Sequence, residues 1–277
     1  MSLLPAAPRP TAFLAVALGN STAAATLVTD AALGQVTRAP VERLEDLAPV
    51  LARACPDCGG EATAVALRHT QGDPEHGRGV AVASVNPPAL ARLVALAKEM
   101  HLAKPLVAGD DFPIPMRTDV DEPERVGADR LLAALAAYRR TRSACIVVDC
   151  GTAITVNAVR AGGVFVGGAI FPGLAMMAEA LARGTALLPA AAVPERAPPV
   201  GKNTEQAIAA GILHGAAGAV ANLIIVASEV VGSDAAVFLT GGDAARLAEF
   251  LPPDCRDVTP DLVLEGLAIA YREWSRG

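Results

Sequence analysis

Short apolar runs alternate along this chain with longer segments in which apolar residues recur every three or four positions. The short runs have the length of buried strands, and they lie at 13–18, 23–28, 80–85, 145–149, 154–159, 162–170 and 237–240. The helical spacing predicts helices over 43–54, 89–100, 131–140, 174–184, 204–230 and 261–273. Such alternation of strands and helices is typical of a layered α/β protein.

The two halves of the chain open on the same device, an apolar strand, a glycine turn and a returning strand. The first turn is Gly19-Asn20-Ser21-Thr22 and the second is Gly151-Thr152-Ala153. Glycine lets backbone N–H groups approach phosphate oxygens, because no Cβ intervenes and positive φ is accessible. One such turn is structurally ordinary, but the pair, with a third turn at Gly241-Gly242, indicates a phosphate ligand.

Composition favours a compact, folded protein and argues against several other classes. The 277 residues are 52% hydrophobic and 19% charged, enough apolar material for two cores. The net charge of −6 argues against nucleic acid as a partner. Every apolar run is interrupted before about 18 residues, so no membrane span is predicted. The first twelve residues carry three prolines and no basic start, which predicts a cytoplasmic protein rather than an exported one.

The five cysteines indicate reduced thiols rather than a disulfide framework. Cys55 and Cys58, with His69 and His76, approximate a zinc-finger spacing, but the central span is too short and the histidines are too far apart. A polar loop is the alternative interpretation, and it is the one that we favour.

Two carboxylates occupy positions where chemistry is common. Asp129 opens a helix within Gly127-Ala128-Asp129-Arg130, and Asp149 ends a strand directly before the second glycine turn. The helix dipole favours a carboxylate at a helix start, and an adjacent guanidinium can clamp an anion. A helix cap at Asp129 and a capped turn at Asp149 explain the same residues without any chemistry. No phosphate loop of the Gly-x4-Gly-Lys-Ser/Thr type and no Ser-His-Asp set stands out.

Nine ordered motifs resemble those of the type III pantothenate kinases, a family with the actin-like sugar kinase fold. The resemblance runs from about residue 13 to 273, and the order of the motifs is more specific than any single motif. They are LGNST, SVNP, PERVGADR, DCGTAIT, GGAIFPG, ALARGTALLP, GKNTEQAIAAGILHG, TGG and DLVLEGLA.

The resemblance implies two related lobes of actin-like (ribonuclease H-like) fold around a nucleotide cleft, an N-terminal lobe at 13–125 and a C-terminal lobe at 126–277. It also implies ATP-dependent phosphorylation of pantothenate in coenzyme A biosynthesis, with Mg²⁺ and a monovalent cation, K⁺ or NH₄⁺. A homodimer is implied as well, in which the partner subunit completes the acceptor pocket.

The roles carried over from the family are specific to single positions. Asp129 is the general base, and Asp149 is the cation ligand. The expected acceptor-site residues are Gly127, Ala128, Arg130 and Thr185, and the expected ATP contacts are Gly19, Asn20, Ser21, Gly151, Thr152 and Gly241.

The chain departs from the family at three places. The first phosphate motif of the family reads Asp-x-Gly-Asn-Thr, whereas this chain has Ala17 in place of the aspartate. Residues 21–27 contain no Lys or Arg, and Val120 stands where the family has an aromatic residue. Two hypotheses follow, an active kinase with a weakened phosphate side and a kinase-like protein that acts as a binding or regulatory module. We favour the kinase, because the acceptor-side residues all remain.

Overall fold

A computed structural model describes residues 12–29, 32–54 and 79–276 of the chain, which forms two compact units. The cysteines and histidines of the zinc-like spacing at 55–76 lie outside the described residues. The first unit comprises the described residues up to Pro115, the segment Gly127–Leu132 and the C-terminal segment from Val263. The second comprises Met116–Val126 and Ala133–Leu262. The lobe boundary predicted between residues 125 and 126 stays a prediction.

The first unit contains a five-stranded sheet in the order β3-β2-β1-β4-β5. Its strands are β1 (Phe13–Leu18), β2 (Thr22–Val28), β3 (Thr37–Pro40), β4 (Val80–Ser84) and β5 (Leu106–Val107). β1 pairs antiparallel with β2 and parallel with β4. The helices of this part of the chain are α1 (Ala48–Leu51), α2 (Pro87–Glu99) and α7 (Leu262–Arg276). Alternate residues of β1, namely Leu14, Val16 and Leu18, belong to an apolar cluster of this unit.

The second unit repeats the arrangement of the four strands β3-β2-β1-β4, but its fifth strand lies at the other edge of the sheet. Its sheet has the order β10-β7-β8-β9-β6, in which β7 pairs antiparallel with β8 and parallel with β10. The strands are β6 (Arg117–Thr118), β7 (Cys145–Cys150), β8 (Ala153–Arg160), β9 (Val164–Pro172) and β10 (Ala236–Thr240). The helices are α3 (Ala128–Thr141), which begins in the first unit, α4 (Leu174–Gly184), α5 (Thr204–Val231) and α6 (Ala244–Ala248). The expected duplication of an α/β lobe is confirmed.

The prediction of one regular helix over 43–54 is wrong. The chain makes 3-10 turns at Val41–Leu47 and Ala52–Ala54, with only the four-residue α1 between them, and Arg43 has non-helical φ and ψ angles of −127° and 55°. Pro49 explains the break, since proline lacks the N–H for an internal helical bond and clashes with the preceding turn. The apolar spacing still buries Leu44, Leu47 and Leu51.

α5 is the one helix of the described residues that is long and apolar enough to cross a membrane by length and composition. Its side chains Ile212, Leu213 and Val220 belong to the apolar cluster of the second unit. One side of α5 therefore packs in the core of the second unit.

Candidate functional site

The first glycine loop is held by its own backbone and by one distant side chain. The N–H of Gly19 donates to the carbonyl of Thr22 at 3.0 Å, which closes the loop. The side-chain amide of Asn86 donates to the carbonyls of Gly19 and Asn20 at 3.3 and 3.4 Å. The Asn86 oxygen accepts the N–H of Ala89 at 3.1 Å and so caps α2. These hydrogen bonds within the protein therefore fix the loop conformation. The loop residues Asn20 and Ser21 are exposed.

Asp129 lies close to the end of the strand that leads into this loop. Its Oδ1 accepts the N–H of Arg130 at 2.8 Å in the first turn of α3, where the helix dipole favours a carboxylate. A methyl group on Gly127 would stand 2.6 Å from this oxygen and 3.6 Å from Cγ1 of Val85, so a side chain at this position would displace the Asp129 carboxylate. The N–H of Val85 donates to the carbonyl of Leu18 at 3.2 Å. Gly127 and Val85 thus lie between Asp129 and Leu18, the last residue of β1.

Burial governs the protonation of Asp129. Desolvation raises the pKa of the Asp129 carboxyl above its ordinary range, and the N–H and the guanidinium of Arg130 oppose the shift. Burial lowers the pKa of the Arg130 guanidinium, which still remains charged in a protein. Residues 127–130 are all half-buried. A carboxylate with a raised pKa accepts a proton more readily, which is the property that a general base needs.

Ala17 lies in a row of small residues across the first sheet. It is half-buried, and its direct neighbours are Ala24 on β2 and Ala83 on β4. The side chains of successive strand residues alternate between the two faces, so Ala17 faces away from the cluster that contains Val16 and Leu18. Three methyl groups therefore occupy the row where the resemblance implies a carboxylate.

The second glycine loop is closed in the same way as the first. The N–H of Gly151 donates to the carbonyl of Ala153 at 3.1 Å, and the N–H of Gly173 donates to that of Thr152 at 3.0 Å. Gly173 is also the N-cap of α4, and a methyl group on it would stand 2.5 Å from the Thr152 carbonyl oxygen. The start of α4 therefore packs on the loop, and the residue Thr152 stays exposed.

Asp149 and Asp243 flank the third glycine turn. Gly241 has a φ of +93°, and a methyl group there would stand 2.6 Å from the Cys150 carbonyl oxygen and would collide with Oδ1 of Asp149. The N–H of Asp243 donates to the same Cys150 carbonyl at 2.9 Å. Burial raises the pKa of the Cys150 thiol, and the negative charges of Asp149 and Asp243 raise it further. Two carboxylates therefore lie close to one backbone position.

A cavity of about 660 Å³ opens beside this turn, within the second unit. Its walls are mostly methyl groups of α4 and of residues 190–193, and Asp243 and Arg246 line it at α6. Arg246 donates to Glu195 at 2.6 Å and lies 3.1 Å from Asp243, which fixes its guanidinium. Burial raises the pKa of Asp243, and Arg246 opposes that shift. The size and the apolar walls are typical of a site for a small molecule.

Thr185 lies at the far end of α4 from the second glycine loop. Its hydroxyl donates to the Leu181 carbonyl at 2.8 Å and accepts the N–H of Leu188 at 3.4 Å, which ends the helix. The 11 residues of α4 separate Thr185 from Gly173 by roughly 16 Å at 1.5 Å per residue. Leu187, two residues later, is 93% exposed. Thr185 is thus a surface residue, apart from the loop residues of its own unit.

A model of type III pantothenate kinases matches residues 13–225. The chain belongs to this family. A type III pantothenate kinase of Dehalococcoides mccartyi is 38% identical over 207 residues, which cover 74% of this chain and 80% of that protein. One from Thermomicrobium roseum is also 38% identical, over 72% of this chain and 76% of that protein. Family membership makes the protein a kinase of coenzyme A biosynthesis.

A solved structure supports the fold alone. The conserved putative Baf family transcriptional activator from Campylobacter jejuni has a TM-score of 0.56 at 17% identity, over 96% of this chain and all of that chain. With the duplicated sheets, this likeness confirms the actin-like fold class.

Kinases of this type use ATP with Mg²⁺, and the second unit suits such a metal. No group of three or more His, Cys, Asp or Glu side chains forms a metal site among the described residues. Asp149 and Asp243 near one turn still fit Mg²⁺, because this ion commonly keeps several waters and binds through one or two carboxylates plus the substrate's phosphates. Of the two, Asp243 would hold this ion, because Asp149 is the expected ligand of the monovalent cation, and the charge of the ion would neutralise the transferring phosphates.

The described structure brings some predicted site residues of this type III pantothenate kinase together and leaves others apart. Asp129, Gly127 and the first loop share one unit, whereas Asp149, Gly151, Thr152 and Gly241 share the other. Asn86 and Arg246 were not among the predicted site residues. Asn86 had a signal in its SVNP motif, whereas Arg246 had none, because its hydrogen bond to Glu195 spans 51 positions.

Proposed function

We propose that this protein transfers the γ-phosphoryl group of ATP to the hydroxyl of pantothenate, forming 4′-phosphopantothenate in the cytoplasm. The observation that carries the proposal is the placement of Asp129, a half-buried carboxylate with a raised pKa that lies one glycine and one valine from the first phosphate loop. Phosphoryl transfer depends mostly on positioning and charge neutralisation, and a fixed carboxylate meets the first need.

Each acceptor-side residue has one part in this proposal. Asp129 takes the proton of the pantothenate hydroxyl as that oxygen attacks phosphorus. Arg130 pairs with the pantothenate carboxylate, since a guanidinium binds a carboxylate through two parallel N–H donors. Gly127 and Ala128 line the pocket, because neither carries a side chain that would fill it.

The nucleotide side rests on the glycine turns. The N–H groups and side chains of Asn20 and Ser21 contact phosphate oxygens from the first unit, and Gly19, whose N–H closes the loop, lets the phosphates approach because it has no side chain. Gly151, Thr152 and Gly241 do so from the second unit. The nucleoside occupies the alanine-lined cavity beside Asp243 and Arg246, whose volume suits it. Asp149 holds the monovalent cation, K⁺ or NH₄⁺, next to the phosphates.

A direct assay tests this function. Purified protein is incubated with ATP, Mg²⁺, K⁺ and pantothenate, and 4′-phosphopantothenate is measured by mass spectrometry. We expect turnover well above a sample that carries Asp129→Asn. No product above background in the wild-type sample would overturn the kinase proposal and favour the binding or regulatory module.

The pH dependence of the reaction provides a second test. A base must be deprotonated, so kcat/KM for pantothenate falls about tenfold per pH unit below the raised pKa of Asp129. The acid limb should lie above the ordinary aspartate value of about 3.9. An acid limb at or below pH 4 would contradict the role of Asp129.

The exposed apolar residues of the second unit support a homodimer. Leu187 is 93%, Ile225 62% and Val230 57% exposed, and Met176 and Leu181 on α4 are also exposed. α4 packs against α5, so these side chains occupy neighbouring helices. Exposed apolar groups of this kind mark interaction surfaces. A second copy is the proposed occupant, since Thr185 at the end of α4 would then reach the partner's acceptor pocket.

Ile225→Asp tests the dimer by burying a charge in the proposed interface. We expect wild-type protein to sediment as a dimer and the variant as a folded monomer with at least a tenfold higher KM for pantothenate. Val94→Asp, at an exposed apolar position of the first unit, is the control and should remain dimeric. A dimeric Ile225→Asp protein would place the interface elsewhere.

A further inference from the structure

Asp149 belongs to a row of polar side chains that crosses the second sheet. Its direct neighbours in the register are Thr240 on β10 and Thr155 on β8. All three side chains lie on the face opposite to the cluster that contains Val148 and Ile154, because side chains alternate along each strand. Directly opposite residues have Cβ atoms about 4.5–5.5 Å apart, so the two threonine hydroxyls are within reach of the Asp149 carboxylate.

A buried amide stands behind one of these hydroxyls. Asn157 is fully buried, and its Nδ2 donates to Oγ1 of Thr155 at 2.8 Å. Asn157 and Thr155 are two residues apart on β8 and so share a face. The residue opposite Asn157 on β9 is Gly168, where a Cβ would collide with the Val156 carbonyl. The backbone thus requires glycine there, and no side chain on β9 stands opposite the amide.

The direction of this hydrogen bond determines what the Thr155 hydroxyl can do. An amide N–H can only donate, so Thr155 Oγ1 acts as the acceptor and keeps its own hydrogen for another partner. When it is ionised, the Asp149 carboxylate can only accept hydrogen bonds. It is the charged acceptor directly opposite Thr155 in the register of β7 and β8. Hydrogen bonds to a charged acceptor are about twice as strong as neutral ones.

We propose that Asn157 and Thr155 are positioning residues for Asp149. Asn157 fixes the Thr155 hydroxyl so that its hydrogen points to the Asp149 carboxylate, which is thereby held in one orientation toward the monovalent cation and the nucleotide phosphates. This inference rests on the proposed function, in which Asp149 holds the cation. It concerns only residues of the second unit.

Thr155→Val and Asn157→Leu test the arrangement, since each keeps approximate shape and removes one member. A non-hydrolysable ATP analogue with Mg²⁺ is titrated calorimetrically, in KCl and in choline chloride. In KCl we expect each variant to bind the analogue about tenfold more weakly than wild type. In choline chloride we expect the variants and the wild type to bind it equally weakly. Thr155→Ser keeps the hydroxyl and should bind within twofold of wild type. In turnover, the K⁺ concentration for half-activation should rise several-fold in both variants, with KM for pantothenate unchanged.

Thr26→Val is the matched control for lost stability. Thr26 is a fully buried threonine of the first unit, and its hydroxyl donates to the carbonyl of Gln35. It should leave K⁺-dependent binding unchanged. Wild-type K⁺ dependence in both Thr155→Val and Asn157→Leu would overturn the inference, as would K⁺-independent binding by the wild type. Weakened variants together with a wild type that forms no phosphopantothenate would uphold the inference and overturn only the proposed function.

Discussion

Asp129→Asn is expected to lower kcat for pantothenate phosphorylation by about 10²–10⁴-fold, the range typical for the loss of a general base. The amide keeps the size of the side chain and can still accept the N–H of Arg130. It cannot take the hydroxyl proton. KM for ATP should change little, since the glycine turns are untouched. Steady-state kinetics with both substrates measures this split.

Loss of folding is not expected to contribute to this effect. The pKa of Asp129 is raised in the folded protein, so the folded state binds more protons than the unfolded state between about pH 3.9 and the raised value. The stability contributed by this group is therefore present at low pH and is lost as pH rises through that window. A neutral amide removes the cost of burying the charge, and Asp129→Asn should be at least as stable as wild type at pH 8.

Asp111→Asn is the matched control. Asp111 is also an aspartate of the first unit whose carboxylate accepts a backbone N–H, from Val107 at 2.8 Å. Its removal should leave kcat within twofold of wild type. Turnover by Asp129→Asn at the wild-type rate would remove Asp129 from the mechanism.

Ala17→Asp is expected to raise kcat/KM for ATP by about 10–100-fold, the second largest effect. The new carboxylate would stand at the end of β1, next to the first phosphate loop, where it can orient the water shell of a Mg²⁺ ion. The carboxyl group adds three heavy atoms, and its neighbours in the row are only the methyl groups of Ala24 and Ala83. The dependence of rate on Mg²⁺ should shift to lower concentrations in the same variant.

Ala24→Asp separates position from charge. Ala24 is half-buried like Ala17 and lies directly beside it on β2, so this variant adds the same charge one strand away. Only Ala17→Asp should gain activity. Equal gains in the two variants would show that local charge, and not the position of the carboxylate, causes the effect. No gain in either variant would show that the phosphate side works without this carboxylate.

Several parts of the fold and the site could be predicted because they are local in sequence. The two strand, glycine turn, strand devices appear as β1 with β2 and as β7 with β8, since apolar runs of five to eight residues around a glycine encode a hairpin directly. Asp129 and Arg130 were named from four consecutive residues. The two-residue strands β5 and β6 were not predicted, because their pairing depends on β4 and β9 rather than on their own pattern.

The sequence by itself determined the family, the duplicated α/β plan and the residues that carry the proposed chemistry, because motif order and hydrophobic period are properties of the linear chain. Only the tertiary structure decided which of these residues lie near one another. Asn86 reaches the first glycine loop across 67 positions, and Arg246 meets Glu195 across 51. The contact between Asn157 and Thr155 is close in sequence, but its relation to Asp149 depends on strand register. Register and burial arise from packing between elements, and the pKa of Asp129 follows from that burial.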